Sequence, residues 1–178
     1  MWIIVLPMFI LLAITPMLLL SEDLLTESQQ QSAAQIARMV QIQHRAVVDY
    51  CGENPSSCNG DIGYASFKRH LDRVNRDGEL FRNSAGMISY GSMNGDVIVT
   101  VLSNEKAIAQ MRLPPVGMIQ HAWVEQDVVG AGLYNKTAEN MIDINGHIFN
   151  IDPAASDNQD HNAPMIVCMK QSQSPTAC

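Results

Sequence analysis

Nineteen consecutive residues from Trp2 to Leu20 carry no charge, and no other feature constrains the chain as strongly. At about 1.5 Å per residue a helix of this length reaches roughly 28 Å, close to the hydrocarbon thickness of a bilayer. A core helix of that length normally keeps a polar face, and this one has none. Pro7 lies near its start, and Pro16 is deep enough to kink it, a distortion membrane helices accommodate. A cleaved secretion signal would show a basic leader and small residues at its exit. No Lys or Arg precedes this run, and it leaves through "LLLSED". The expectation is an uncleaved transmembrane anchor over 1–20. The acidic exit (Glu22, Asp23, Glu27) and the downstream cysteines orient it with a short cytoplasmic N-terminus and the remainder outside. An ordinary prepilin is excluded, because the first glycine is Gly52 and the first acid is Glu22, beyond the apolar run.

Four cysteines follow the run: Cys51, Cys58, Cys168 and Cys178. They form two close pairs around polar, turn-rich segments, "CGENPSSC" and "CMKQSQSPTAC". Three connectivities are open to four cysteines, and local pairing is the expected one because each bracketed loop is easily closed. Zinc would need C-x-x-C or Cys/His spacing, which is missing.

Between Leu24 and Tyr50 the pattern is that of an amphipathic helix. Ala33, Ile36, Ala37, Val40, His44, Val47 and Cys51 recur at three- and four-residue intervals, with glutamines and Arg45 opposite. That stripe is expected to cover the chain's own sheet rather than a partner helix. A second helix is predicted over Asp61–Gly78, with Asp61 as N-cap and Gly78 as stop. In it Phe67, Leu71 and Val74 face the core, while Arg69, Arg73 and Arg76 follow i, i+4, i+7 spacing on another side. Five of the eleven basic residues fall between Lys68 and Arg82. Such a run is usually a solvated face; its functional reading is a dock for an acidic partner.

Strands follow. Asn94-Gly95 and Asn145-Gly146 each sit between β-rich flanks and predict hairpins. "PMIVCMK" reads as a last strand that carries Cys168 into the sheet. Pro114-Pro115 breaks the chain between the hairpins, and "GAG" at Gly130–Gly132 reads as a flexible loop. The resulting expectation is an α+β fold of pilin-like layout: a transmembrane helix (1–20) continuing into an amphipathic helix (21–51), then a small antiparallel-sheet domain (52–178) in the periplasm.

Chemistry finds little purchase. The five histidines are far apart, and no H-E-x-x-H, G-x-S-x-G, Walker or G-x-G-x-x-G pattern occurs. "DPAASDNQDHN" offers Asp152, Asp157, Asp160 and Asn162 but lacks the glycine and closing Glu of a calcium loop, so it reads as a solvated loop. Asn135-Lys136-Thr137 matches a glycosylation sequon. The net charge of −7, with seven acids against two bases from His121 onward, opposes nucleic-acid binding. No catalytic residue, metal ligand or cofactor site is expected.

With the apolar run leading into "SAAQIARMVQIQHRAVVDYCGENP", the first sixty residues resemble the PilM family of type IVB thin-pilus biogenesis. The likeness lies in the N-terminal span, the Gln/Ala-rich helix and the "AVVDY" segment before Asn54-Pro55. The four cysteines and a longer C-terminal region depart from it. The resemblance implies a non-enzymatic inner-membrane component of pilin transport or pilus assembly, whose partners are other assembly proteins or pilins and, through the N-terminal helix, the bilayer. The alternative from another class is a minor pilin, incorporated into the filament after unusual processing.

Overall fold

The computed structural model describes residues 2–73, 76, 86–102, 114–151 and 163–169; for 2–23 it describes the helical backbone alone. Helix α1, Trp2–Glu53, runs without interruption through Pro7 and Pro16. Two short elements come next, strand β1 (Gly60–Asp61) and helix α2 (Tyr64–Phe67). Strands β2 (Met87–Ser92) and β3 (Val97–Leu102) form the first hairpin. Helix α3 (Val116–Glu125) leads into β4 (Ala131–Asn135), β5 (Asn140–Asp143), β6 (Ile148–Asn150) and β7 (Pro164–Met169).

The strands make one antiparallel sheet in the order β1-β2-β3-β7-β4-β5-β6. Strand β7, last in the chain, enters the middle and joins the two hairpins, pairing Ile98 with Cys168 on one side and Ala131 with Ile166 on the other. Both faces of these central strands are buried, so "VIVTVL" and "PMIVCM" read as apolar runs rather than alternating ones. On one face, α1 and α3 cover Ile98, Leu102, Ile166 and Cys168 with Ala33, Ala37, Val40, Val47 and Trp123. Each fully buried valine there contributes on the order of 1.5–3 kcal/mol. The opposite face buries Tyr90, Val99, Val101, Tyr134, Met141, Met165 and Val167. The three- and four-residue stripe of α1 therefore covers the chain's own sheet, as its spacing predicts.

The transmembrane expectation is corrected: among the described residues, no helix is long and apolar enough to cross a membrane. From Leu24 onward α1 carries Glu27, Arg38, Arg45, Asp49 and Glu53, and from Ala33 its buried apolar residues pack in the core against the sheet. No break separates 1–20 from 21–51, since one helix spans both. The helix ends where Asn54 caps the Tyr50 carbonyl through both its backbone N–H (2.9 Å) and its side chain (3.1 Å), just before Pro55.

The second predicted helix is not continuous. Asp61 pairs in β1 with Tyr90 instead of capping, and α2 ends at Phe67. A 3-10 turn at Lys68–His70 follows, and Leu71 is extended (φ −81°, ψ 139°). Phe67 and Leu71 are buried as their spacing requires, but only by breaking the helix between them. Val74 lies outside the described residues. The "GAG" segment is likewise not a flexible loop: Gly130 closes a turn, and Ala131 and Gly132 begin β4. Gly130 has φ +72°, and a Cβ there would strike the Val167 carbonyl oxygen; a Cβ on Gly132 would strike that of Ile142. Glycine at these positions lets β4 slot between β7 and β5.

Candidate functional site

The end of α1 is held by a covalent staple. Cys51 and Cys58 are disulfide-bonded across a Cα–Cα distance of 5.4 Å, within the normal span for a disulfide. Both are fully buried, and the loop they close rests on the first hairpin. Gly91 leaves space for the Cys58 carbonyl, and Gly95, at φ +86°, lies against Cys51. Asn59 and Asn94 then exchange two hydrogen bonds: Asn59 Nδ2 donates to Asn94 Oδ1, and the Asn94 backbone N–H donates to Asn59 Oδ1, each at 2.9 Å. Met93 stands at this tip with φ 52° and is 72% exposed. A left-handed backbone is costly for a long side chain, and here the surrounding contacts hold it. Cys168 is also disulfide-bonded. Its expected partner, Cys178, lies outside the described residues.

Deeper between helix and sheet is a buried chain of four polar groups. Gln43 Nε2 donates to Ser89 Oγ at 3.0 Å, the Ser89 and Thr100 hydroxyls are 3.1 Å apart, and Thr100 Oγ1 lies 3.0 Å from His44 Nδ1. Burial pushes the His44 imidazole down to a pKa of about 4, so the ring is neutral at pH 7 and can accept from the threonine. Ser89 and Thr100 are opposite residues on β2 and β3, so the cluster fixes the register of α1 on that hairpin. Sequence reasoning placed His44 on the apolar stripe and missed its partners. The detectable signal was Ser89 and Thr100 interrupting otherwise apolar strand faces.

The outward face of α1 carries a groove of about 490 Å³, floored by Met39 and Ile42 and flanked by Arg38, Arg45 and Asp72. The arginines expected to form one docking stripe do not share a helix face. Arg69 lies in the 3-10 turn, and Arg73 and Arg76 come after the extended Leu71. The Tyr64 hydroxyl donates to the Arg76 carbonyl at 2.7 Å and folds that segment back on α2.

At the far edge of the sheet, Asp143 receives backbone hydrogen bonds from Asn145 (2.9 Å) and His147 (2.7 Å) and faces His147 Nδ1 at 3.0 Å. This closes the second hairpin. Asn135 of the sequon caps the backbone N–H groups of Thr137 and Ala138. Asp152, Asp157, Asp160 and Asn162 lie outside the described residues. Among the described residues no group of three or more His, Cys, Asp or Glu could hold a metal ion. In comparisons with protein-family models, curated proteins and solved structures, the chain matches none.

Proposed function

We propose that this chain is a non-catalytic component of a type IV (IVB) pilus assembly or pilin transport apparatus, acting by protein–protein contact in an oxidising, extracytoplasmic compartment such as the periplasm. The observation that carries the reading is the stapled helix–sheet unit: the C-terminal half of a 52-residue N-terminal helix lies on an antiparallel sheet and ends in a buried disulfide. Structural disulfides persist outside the reducing cytosol. The resemblance of the first sixty residues to the PilM family supplies the pilus context. The polar groups with special geometry all fasten the fold together, which suits a scaffold. The test is deletion of the chain in a cell that makes thin pili. Pilin should still be synthesised while filaments disappear, and full piliation in the deletion strain would overturn the proposal.

A second reading, a pilin-like subunit inside the filament, is favoured by one specific observation. Residues 24–32 of α1 are all exposed, a helical stretch outside the core that the rest of α1 builds. Mass spectrometry of sheared, washed pili separates the two roles: a filament subunit co-purifies in fixed proportion, and an assembly component stays with the cell.

A further inference from the structure

Glu27, Arg38 and Asp49 stand at eleven-residue intervals along α1, alternate in sign, and are all exposed. Eleven helical residues advance about 16.5 Å and return to within roughly 20° of the same side, so the three charges share one stripe. Among the described residues none of them has an ion-pair partner. The same side of the helix holds the groove of Met39 and Ile42 between Arg38 and Arg45. Below it Leu24 and Leu25 are 65% and 64% exposed. An acidic, leucine-bearing stretch and a basic groove with an apolar floor thus lie on one rod.

We propose that this stripe is a self-association surface, on which a second copy of the chain packs its α1 in parallel, shifted by eleven residues. In that register Glu27 of one copy meets Arg38 of the next, and Arg38 of the first meets Asp49 of the next. Gln31 falls opposite Ile42. Register also selects the direction. A parallel shift sets stretch 2–9 beside stretch 13–20, both free of charge. An antiparallel pairing built on Glu27–Arg38 would instead run stretch 12–20 past Arg45, Asp49 and Glu53, where the helix ends. Each copy presents the same stripe, offset by eleven residues, and each rod covers most of the other's stripe, so the association stops at a dimer. The proposal extends the assembly reading and rests on it only in assigning the chain a protein–protein role. A chain that serves pilus assembly through other proteins alone would fail the test below and still pass the deletion test.

The test is cysteine cross-linking of the full chain in the cells that produce it, with the three charges left in place. Gln31→Cys combined with Ile42→Cys should give, under mild oxidation, a cross-linked dimer. Arg38→Glu added to that pair should reduce cross-linking roughly tenfold, since it turns two attractions into repulsions. Inverting the whole stripe with Glu27→Arg, Arg38→Glu and Asp49→Arg should restore the dimer. Monomer alone from a well-expressed double-cysteine variant returns the stripe to an ordinary solvated face. A dimer formed by Gln31→Cys alone, or a double-cysteine dimer unmoved by Arg38→Glu, also overturns the proposal.

Discussion

The chain fastens itself with two histidines in opposite surroundings. His44 is buried and meets only neutral partners, Gln43, Ser89 and Thr100 being the other members of its cluster. His147 sits at a hairpin turn with its side chain 72% exposed, beside an Asp143 carboxylate that is only 3% exposed. In the first cluster, desolvation forbids charge and the imidazole is driven down to about 4. In the second, burial pushes the Asp143 carboxyl up, but hydrogen bonds from the His147 side chain and from the His147 and Asn145 backbone outweigh it, leaving the pKa below its ordinary value. The lesson is that one latch works by excluding charge and the other by enclosing it. Both fail in acid, for opposite reasons and in different pH ranges.

The largest effect is expected at His44. Its pKa is lowered on folding from 6.5 to about 4, so the unfolded chain binds the proton more readily. The associated stability is fully present above about pH 6.5, declines as pH falls towards 4, and is absent below. At 1.36 kcal/mol per unit the loss is roughly 3 kcal/mol. Urea unfolding at pH 7.5 and pH 4.5 measures it. His44→Gln should flatten the slope across this window, and an identical slope in that variant would show that other groups govern acid lability.

Next in size is the covalent staple, a third fastener indifferent to protonation. Replacing Cys51 and Cys58 together by Ser frees a short loop in the unfolded chain and should cost about 2–3 kcal/mol at any pH between 5 and 8. The comparison sharpens if this variant keeps the same acid slope as the parent. A steeper slope would mean that the staple also keeps water from His44.

Much of this frame was legible in the sequence, because periodicity and turn chemistry are local. The stripe Ala33–Cys51, the Asn94-Gly95 and Asn145-Gly146 hairpins and the last strand through Cys168 all form where their residues predict. What failed depended on distant neighbours. The predicted helix at Asp61–Gly78 starts late because Asp61 is drawn into the sheet beside Tyr90, and it breaks at the extended Leu71, whose side chain is buried. "GAG" looked flexible because nothing in the sequence reveals the carbonyls of Val167 and Ile142 pressing on Gly130 and Gly132. The polar cluster stayed hidden for the same reason, since Gln43 and Ser89 are 46 residues apart. The apolar run suggested a membrane span from its length and lack of charge, whereas among the described residues no helix is long and apolar enough to cross a membrane.

At the exposed latch the effects are smaller. Asp143→Ala removes the acceptor for two backbone N–H groups at the turn. Those groups are near solvent and partly regain water, so the cost should be about 1–2 kcal/mol. The carboxylate's contribution is present above its ordinary value of 3.8 and is lost only as pH falls through the lower folded value. The Asp143→Ala variant should therefore keep the wild-type slope between pH 6.5 and 4.5. A changed slope there would merge the two latches into one titrating system.

The smallest effect belongs to His147, and it tests which part of that latch matters. His147→Ala deletes the ring contact at 3.0 Å but keeps the backbone N–H that donates to Asp143. The ring is largely in solvent and loses side-chain freedom to make this contact, so the loss should stay below about 1 kcal/mol. Whatever remains of the effect should shrink further on going from 0.05 M to 0.5 M salt. The Asp143 pKa should rise towards 3.8 in the variant, because the ring's hydrogen bond is the leading influence that lowers it. NMR titration of the Asp143 carboxyl carbon reads that shift directly. An unmoved pKa would assign the enclosure of this charge to the two backbone donors alone, leaving the imidazole as a bystander at the rim.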